Sequence, residues 1–304
     1  MPMQMGFRWY GEGNDKISLS DIKQIPGVTS IVWALHHKMP GEVWEEAEIA
    51  EVKRQCDEYG FNIDVVESVN VHDDIKIGLP TRDQYIENYK QTIRNLKQFG
   101  VKVICYNFMP IFDWTRSDLF HPLGDGSTAL YYEKDMIQTD YNAMAKYILD
   151  FTEKYNMSFP GWEPERMAKL DELFKAYADV DHEKLWANLK YFLEAIMPTC
   201  EECGIKMAIH MDDPPWDIFG LPRLLINAEN IDRFLSMVDH PREPPRRPPP
   251  PGDGGESGEG RREGGWRGRE ERGAGKIRRA AGTAGLAAGL NPPGGLRGPH
   301  PFTS

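Results

Sequence analysis

The chain lacks several signatures, and each absence removes a class of function. No run of 18 apolar residues occurs, so no membrane-spanning helix is expected. Met1 to Arg8 lacks the charged-then-apolar pattern of a secretory leader, which points to a cytoplasmic protein. There is no G-x-G-x-x-G and no Walker-type loop, so no nucleotide cofactor is expected. The G-x-S-x-G elbow of serine hydrolases is also missing. Cysteines number only four, at Cys56, Cys105, Cys200 and Cys203. In a chain of 304 residues they read as free thiols, not as a disulfide framework. Cys200 and Cys203 have C-x-x-C spacing, but no second pair completes a zinc site, so they read as two thiols at a helix end.

Charge and composition divide the chain near His240. The formal net charge is −11, but residues 241–304 hold 12 basic and 7 acidic side chains, which leaves a net of −16 on residues 1–240. An acidic body argues against general nucleic-acid or membrane-surface binding. Gly, Pro, Arg and Ala fill 44 of the 64 positions from 241 to 304, and large apolar residues only 6. Such a segment cannot bury enough surface to offset its ordering entropy, so a disordered tail is expected. Those four residue types are also what GC-rich DNA encodes in a wrong frame. A frameshift and a genuine basic, RNA-binding arm around Gly265 to Arg269 are the two readings of this tail.

Within 1–240 one unit recurs. An amphipathic helix stops at glycine, an apolar strand follows, and the strand ends in a polar residue. The copies are Val52–Gly60 into Phe61–Glu67, Tyr89–Gly100 into Val101–Asn107, and Leu193–Gly204 into Ile205–His210. A looser copy runs from Ser20 to Gly27 and then Ser30–His37, and Phe7–Gly11 supplies a first short strand. Such alternation predicts a parallel sheet of about five βα units, where a closed (β/α)8 barrel needs eight. Between 110 and 185 the pattern breaks: Phe112–Arg116 and Gly124–Ser127 read as loop, Glu133–Tyr155 and Pro164–Ala178 as helix. An excursion of this length reads as a lid.

Parallel strands gather their C-terminal ends, so the residues there are the candidates for chemistry. His210 is a candidate metal ligand, with ordinary structural use as the alternative. Glu67 and Asn107 end two other strands, and Arg8 lies on the first. His36 and His37 end a fourth. Successive strand residues face opposite sides, so at most one of the pair enters a barrel mouth; His37 is the candidate taken. Asp212 and Asp213 follow His210, and Asp213 before Pro214 suits a helix N-cap. Trp9, Trp44, Trp114 and Trp216 lie near strand ends, where they suit either a sugar-facing wall or ordinary core packing.

These residues resemble mannonate dehydratases. The resemblance is carried by Phe7–Gly11, Ala34–His37, Gly41–Trp44, Val65–Val69, His72–Lys76, Cys105–Pro110, Asp113–Asp118, Ala208–Pro215 and Gly220–Arg223. It runs from about residue 5 to about residue 240, with one departure, Met211, where the family usually has proline. It implies a metal-dependent (β/α)8 barrel of the xylose-isomerase-like group, incomplete here. The implied hydro-lyase reaction converts D-mannonate to 2-dehydro-3-deoxy-D-gluconate in glucuronate catabolism. The implied metal is Fe²⁺ or Mn²⁺, bound by two His, one Cys and one Asp.

His210 matches the first of those ligands. No cysteine follows Cys203, and His240, His300 and Asp253 stand in no strand-like context. The acid and base residues are expected beyond residue 240, so the catalytic residues are unknown. Arg8, His37, Glu67 and Asn107 are candidates for the sugar-acid pocket by strand-end position. The resulting organisation is a catalytic-domain part at 1–240, with a helical lid at 110–185, and an unrelated tail at 241–304. The partner expected is D-mannonate, with self-association into a homo-oligomer. This literal chain is expected to be inactive and prone to aggregation through two open strand edges. The alternatives are a non-catalytic barrel fragment with a basic RNA-binding arm and a related sugar isomerase or epimerase.

Overall fold

The computed structural model describes residues 3–135, 140–155 and 164–237. The Gly/Pro/Arg-rich segment 241–304, expected above to be disordered, lies outside the described residues.

Five strands form one parallel sheet: β1 (Met5–Arg8), β2 (Val28–Trp33), β3 (Asn62–Glu67), β4 (Val103–Tyr106) and β7 (Lys206–Ile209). Their spatial order is their chain order, and all four pairings are parallel. This is the sequential winding of a (β/α)8 barrel, with five strands among the described residues. There β1 and β7 are the sheet edges. The connections are α1 (Leu19–Lys23), α2 (Glu46–Glu58), then α3 (Asp73–Ile77) with α4 (Arg82–Gln98), and finally a long passage ending in α8 (His182–Cys203). The last described helix is α9 (Ala228–Leu235).

The sheet's two faces differ. Ile31, Trp33, Val66, Ile104 and Tyr106 point toward the helices and are buried. Register puts Arg8 beside Val32, Val32 beside Val65, Val65 beside Val103, and Glu67 beside Cys105 on the opposite face. There Val32, Val65 and Val103 are only half-buried. Burying a large apolar side chain contributes about 1.5–3 kcal/mol, so the helix-facing layer dominates the stability of this sheet.

The α8 helix shows how sequence makes that layer. Leu185, Leu189, Phe192, Ile196, Cys200 and Cys203 recur at helical spacing and are all buried. The Asp181 side chain caps the helix start by accepting from Lys184 N at 2.8 Å. Gly204 ends it at φ 66°, a left-handed conformation that only glycine adopts without strain. Phe192 then meets Tyr89, Tyr106 and Phe108, with centroids 5.0, 5.9 and 6.0 Å away. Cys200 and Cys203 are buried free thiols in this packing, as read from the sequence.

The excursion between β4 and α8 holds more structure than expected. Asp118–Pro122 (β5) and Thr128–Tyr131 (β6) form an antiparallel hairpin whose turn contains Gly124 to Ser127. The strands are too short for alternation to show in the sequence. The helix expected from Glu133 starts instead at Tyr141 (α5, Tyr141–Tyr155), because Glu133 N donates to Ser117 Oγ at 2.8 Å and belongs to the hairpin. The helix expected over 164–178 is two pieces, α6 (Pro164–Met167) and α7 (Leu170–Tyr177). Arg166 of α6 and Tyr177 of α7 both bond Asp73 of α3 and fasten the excursion to the sheet. No described helix is long and apolar enough to cross a membrane.

Candidate functional site

Alternation places Arg8, Glu67, Asn107 and His210 on the same face of the sheet, at or just past the C-terminal ends of β1, β3, β4 and β7. Arg8 is the hub on the β1 side. Its Nη1 donates to Trp9 O at 2.9 Å and Val32 O at 3.3 Å. Its Nε stands 3.9 Å from Glu67 Oε2, and its guanidinium lies 4.4 Å from the Tyr10 ring centre. Burial lowers the Arg8 pKa, while Tyr10, Glu67 and Cys105 act against that shift. Cys105 Sγ lies 4.0 Å from Glu67 Oε1, and burial first, then Glu67, pushes the thiol up to about 12. A thiol held protonated in this way is a poor nucleophile at neutral pH.

Of the two adjacent histidines, His36 is the one beside Arg8, with Arg8 Nη2 at 3.4 Å from its Nε2. It also stacks on Tyr10 at 5.3 Å. Burial, then the charge of Arg8, lowers the His36 pKa to about 3, so this ring is neutral at physiological pH. His37 turns away: its side chain is 63% exposed and its Nε2 meets Glu48 Oε1 at 2.7 Å. Alternation allowed one of the pair inward, but parity depends on the register of β2 against β1, which adjacent residues do not reveal.

Asn107 is turned into the loop after β4. Its Oδ1 accepts from Met109 N at 3.3 Å, and its side chain bonds Asp113. Asp113 belongs to a buried polar layer with Lys76, Arg166 and Arg223. Burial raises its pKa, while the charge of Lys76 acts in the other direction. Lys76 Nζ donates to Met109 O at 2.9 Å, and Arg223 Nη1 to Phe112 O at 3.0 Å. The residue-type pattern held no signal for this layer, since its members come from four separate segments.

His210 directly follows β7, one residue past the end of the strand. Its backbone N bonds Tyr106 O at 2.7 Å, and its Nδ1 meets Met211 O at 2.6 Å. A carbonyl only accepts, so Nδ1 carries the hydrogen and Nε2 keeps its lone pair. A histidine whose second nitrogen donates to a backbone carbonyl is arranged like a metal ligand. It stands alone, however: among the described residues no group of three His, Cys, Asp or Glu could hold a metal ion.

The two aspartates after His210 serve the loop. Asp212 Oδ2 accepts from Leu224 N at 3.1 Å and Leu225 N at 2.6 Å, and burial raises its pKa against the charge of Arg223. Asp213 caps no helix, contrary to the N-cap expected for it. It forms a two-pronged pair with Arg116, with Nη1 to Oδ1 at 2.6 Å, and ties this loop to the excursion. Among the tryptophans, Trp9 and Trp44 are buried, and Trp44 packs on Trp33 at 5.8 Å; Trp216 is 41% exposed.

The D-mannonate dehydratase (UxuA) family model matches residues 3–244. Mannonate dehydratase 1 of Bacillus licheniformis is 60% identical over 240 residues, which are 79% of this chain and 65% of the relative. Mannonate dehydratase of Bacillus subtilis is 55% identical over 240 residues, 79% of this chain and 66% of its own length. The crystal structure of mannonate dehydratase from Streptococcus suis serotype 2 superposes with a TM-score of 0.67 at 45% identity, covering 79% of this chain and 62% of that one. The chain thus spans about 65% of the length of the relatives it matches. A match of this extent, over the segment that carries the sheet and its strand-end residues, makes the chain a member of the D-mannonate dehydratase (UxuA) family.

Proposed function

We propose that residues 1–240 are the N-terminal part of a cytoplasmic hydro-lyase that dehydrates D-mannonate to 2-dehydro-3-deoxy-D-gluconate in glucuronate catabolism. The observation that carries this reading is the family match over the segment bearing Arg8, Glu67, Asn107 and His210 on one sheet face. In this reaction the C2 proton leaves, the C3 hydroxyl departs as water, and the enol becomes the 2-keto acid. The C2 proton is poorly acidic beside a carboxylate. A divalent Fe²⁺ or Mn²⁺ would supply Lewis-acid stabilisation of the charge that develops there.

Of the residues described, His210 fits such an ion as one donor, and the described residues supply no complete donor set. Arg8 and Glu67 would face the sugar acid, with Arg8 held by two carbonyls so that its charge stays in place. Asn107 would contribute by fixing the loop after β4, and His37 only at the outer rim.

We further infer that residues 241–304 are a frame-shifted tail and that the 304-residue chain alone is inactive. The enzyme is expected to self-associate as a homo-oligomer. A chimera tests this: residues 1–240 are joined to the C-terminal third of the Bacillus licheniformis protein and assayed for keto-deoxy acid with Mn²⁺ or Fe²⁺. Product is expected from the chimera and none from the 304-residue chain. A folded, metal-loaded chimera without product would refute the reading. Product from the unaltered chain would refute the inferred inactivity. Reading the coding DNA across codons 230–304 in three frames decides the origin of the tail.

A further inference from the structure

His210 Nδ1 meets Met211 O at 2.6 Å, so the state of this ring depends on where one carbonyl points. That carbonyl belongs to the peptide unit joining Met211 to Asp212. The N–H of the same unit donates to Leu225 O at 3.2 Å. A peptide unit is planar, so a bond on its N–H side fixes the direction of its C=O. The Met211 side chain is 38% exposed and packs too little to hold the unit by itself.

Leu225 is held in turn by the Asp212 side chain. Asp212 Oδ2 accepts from Leu225 N at 2.6 Å and from Leu224 N at 3.1 Å. Asp212 and Leu225 thus exchange two bonds, N–H to carbonyl one way and N–H to carboxylate the other. Arg223 Nη1 lies 3.7 Å from Asp212 Oδ1, and the two side chains are 0% and 6% exposed. A contact path therefore runs from Arg223 through Asp212 and Leu225 to the Met211 carbonyl and ends on the His210 ring. Its chemical effect lies in the ring's hydrogen. A free imidazole exchanges that hydrogen between its two nitrogens, and only the nitrogen without it offers a lone pair. A carbonyl fixed at Nδ1 keeps the hydrogen there and leaves Nε2 as the acceptor or ligand atom.

We propose that Asp212 is the positioning residue of His210. By clamping the peptide between Met211 and Asp212 against Leu225, it holds the ring in its Nδ1–H tautomer with the lone pair on Nε2. The use of that lone pair rests on the reading of His210 as a metal donor, whereas the tautomer itself does not.

The test reads the ring nitrogens directly. The 304-residue chain is labelled with ¹⁵N-histidine, and its imidazole signals are recorded at about pH 8.5, where free imidazole is uncharged. The His210 pair is assigned by its loss in His210→Gln. The unaltered chain should show the Nδ1–H tautomer. Asp212→Ala should lower the ratio of Nδ1–H to Nε2–H forms roughly 2- to 10-fold, the worth of one hydrogen bond. Asp212→Asn keeps an oxygen for Leu224 N and Leu225 N and should hold the original ratio. The indole signal of Trp33, whose Nε1 donates to Ile63 O at 3.3 Å, reports that the sheet is intact. A ring that is mainly Nε2–H in the unaltered chain would overturn the proposal, and that measurement needs no variant to fold. An unchanged ratio in Asp212→Ala, with the Trp33 signal in place, would overturn it as well. Equal loss in Asp212→Ala and Asp212→Asn would overturn the acceptor role of Oδ2. No metal, substrate or product enters the measurement, so its failure and that of the chimera assay are separate.

Discussion

Asp73→Asn should be among the most destabilising single changes on the β3 side of the sheet. The carboxylate accepts from Arg166 Nε at 3.0 Å, from Arg166 Nη2 at 2.8 and 3.0 Å, and from Tyr177 OH at 2.8 Å. Both partners of the ion pair are buried, with side chains 7% and 8% exposed. Burial alone would raise the Asp73 pKa, yet the charges of Arg166 and Lys76 hold it at about 2 against an ordinary 3.8. That difference corresponds to ~2–3 kcal/mol at neutral pH. The folded pKa is depressed, so this contribution is full above the unfolded value and is lost as pH falls from about 4 toward 2.

The amide keeps the shape but leaves a guanidinium buried without its counter-charge, at a cost of about 3–5 kcal/mol. Tyr177→Phe removes one hydrogen bond to a charged group, about 1.5–3 kcal/mol. Urea unfolding at pH 7 followed by tryptophan fluorescence measures both. An Asp73→Asn loss below about 1 kcal/mol, or one no larger than that of Tyr177→Phe, would refute the reasoning that this buried pair fastens the excursion to the sheet.

Two further outcomes follow from buried titratable groups. The His36 pKa is held at about 3 by burial and by Arg8, so below the ordinary 6.5 the unfolded chain takes up a proton that the folded chain refuses. Stability should therefore fall from pH 6.5 toward 3 by about 1.4 kcal/mol per unit, and His36→Gln should flatten that slope between pH 7 and 5 in urea unfolding. Cys56, Cys105 and Cys200 are each pushed up to about 12 by burial. A disulfide reagent at pH 8 should modify them only as the chain unfolds, and rapid labelling of Cys105 in the folded chain would contradict its placement beside Glu67.

Much of the fold was legible in the residues because it rests on local rules. Helix, glycine and apolar strand succeed one another in α2–β3, α4–β4 and α8–β7, and each of these expected elements is present. The composition break near residue 240 was equally plain, and the family match ends at 244. The excursion was read less well. Its hairpin strands are five and four residues long, Glu133 is held to the hairpin by Ser117, a contact across 16 positions, and the start of α5 is capped by Asp140 Oδ1, which accepts from Asn142 N at 2.9 Å.

The strand-end positions of Glu67, Asn107 and His210 were determined by the sequence itself, because apolar runs and the glycines before them are local features. Which of those side chains meet was decided only by the tertiary structure. Strand register chose His36 over His37 as the neighbour of Arg8. Loop closure committed Asp212 to Leu224 and Leu225, and Asp213 to Arg116. The physical reason is that one residue of register shift reverses the face a side chain occupies, while the energy that selects the register comes from burial across the whole sheet.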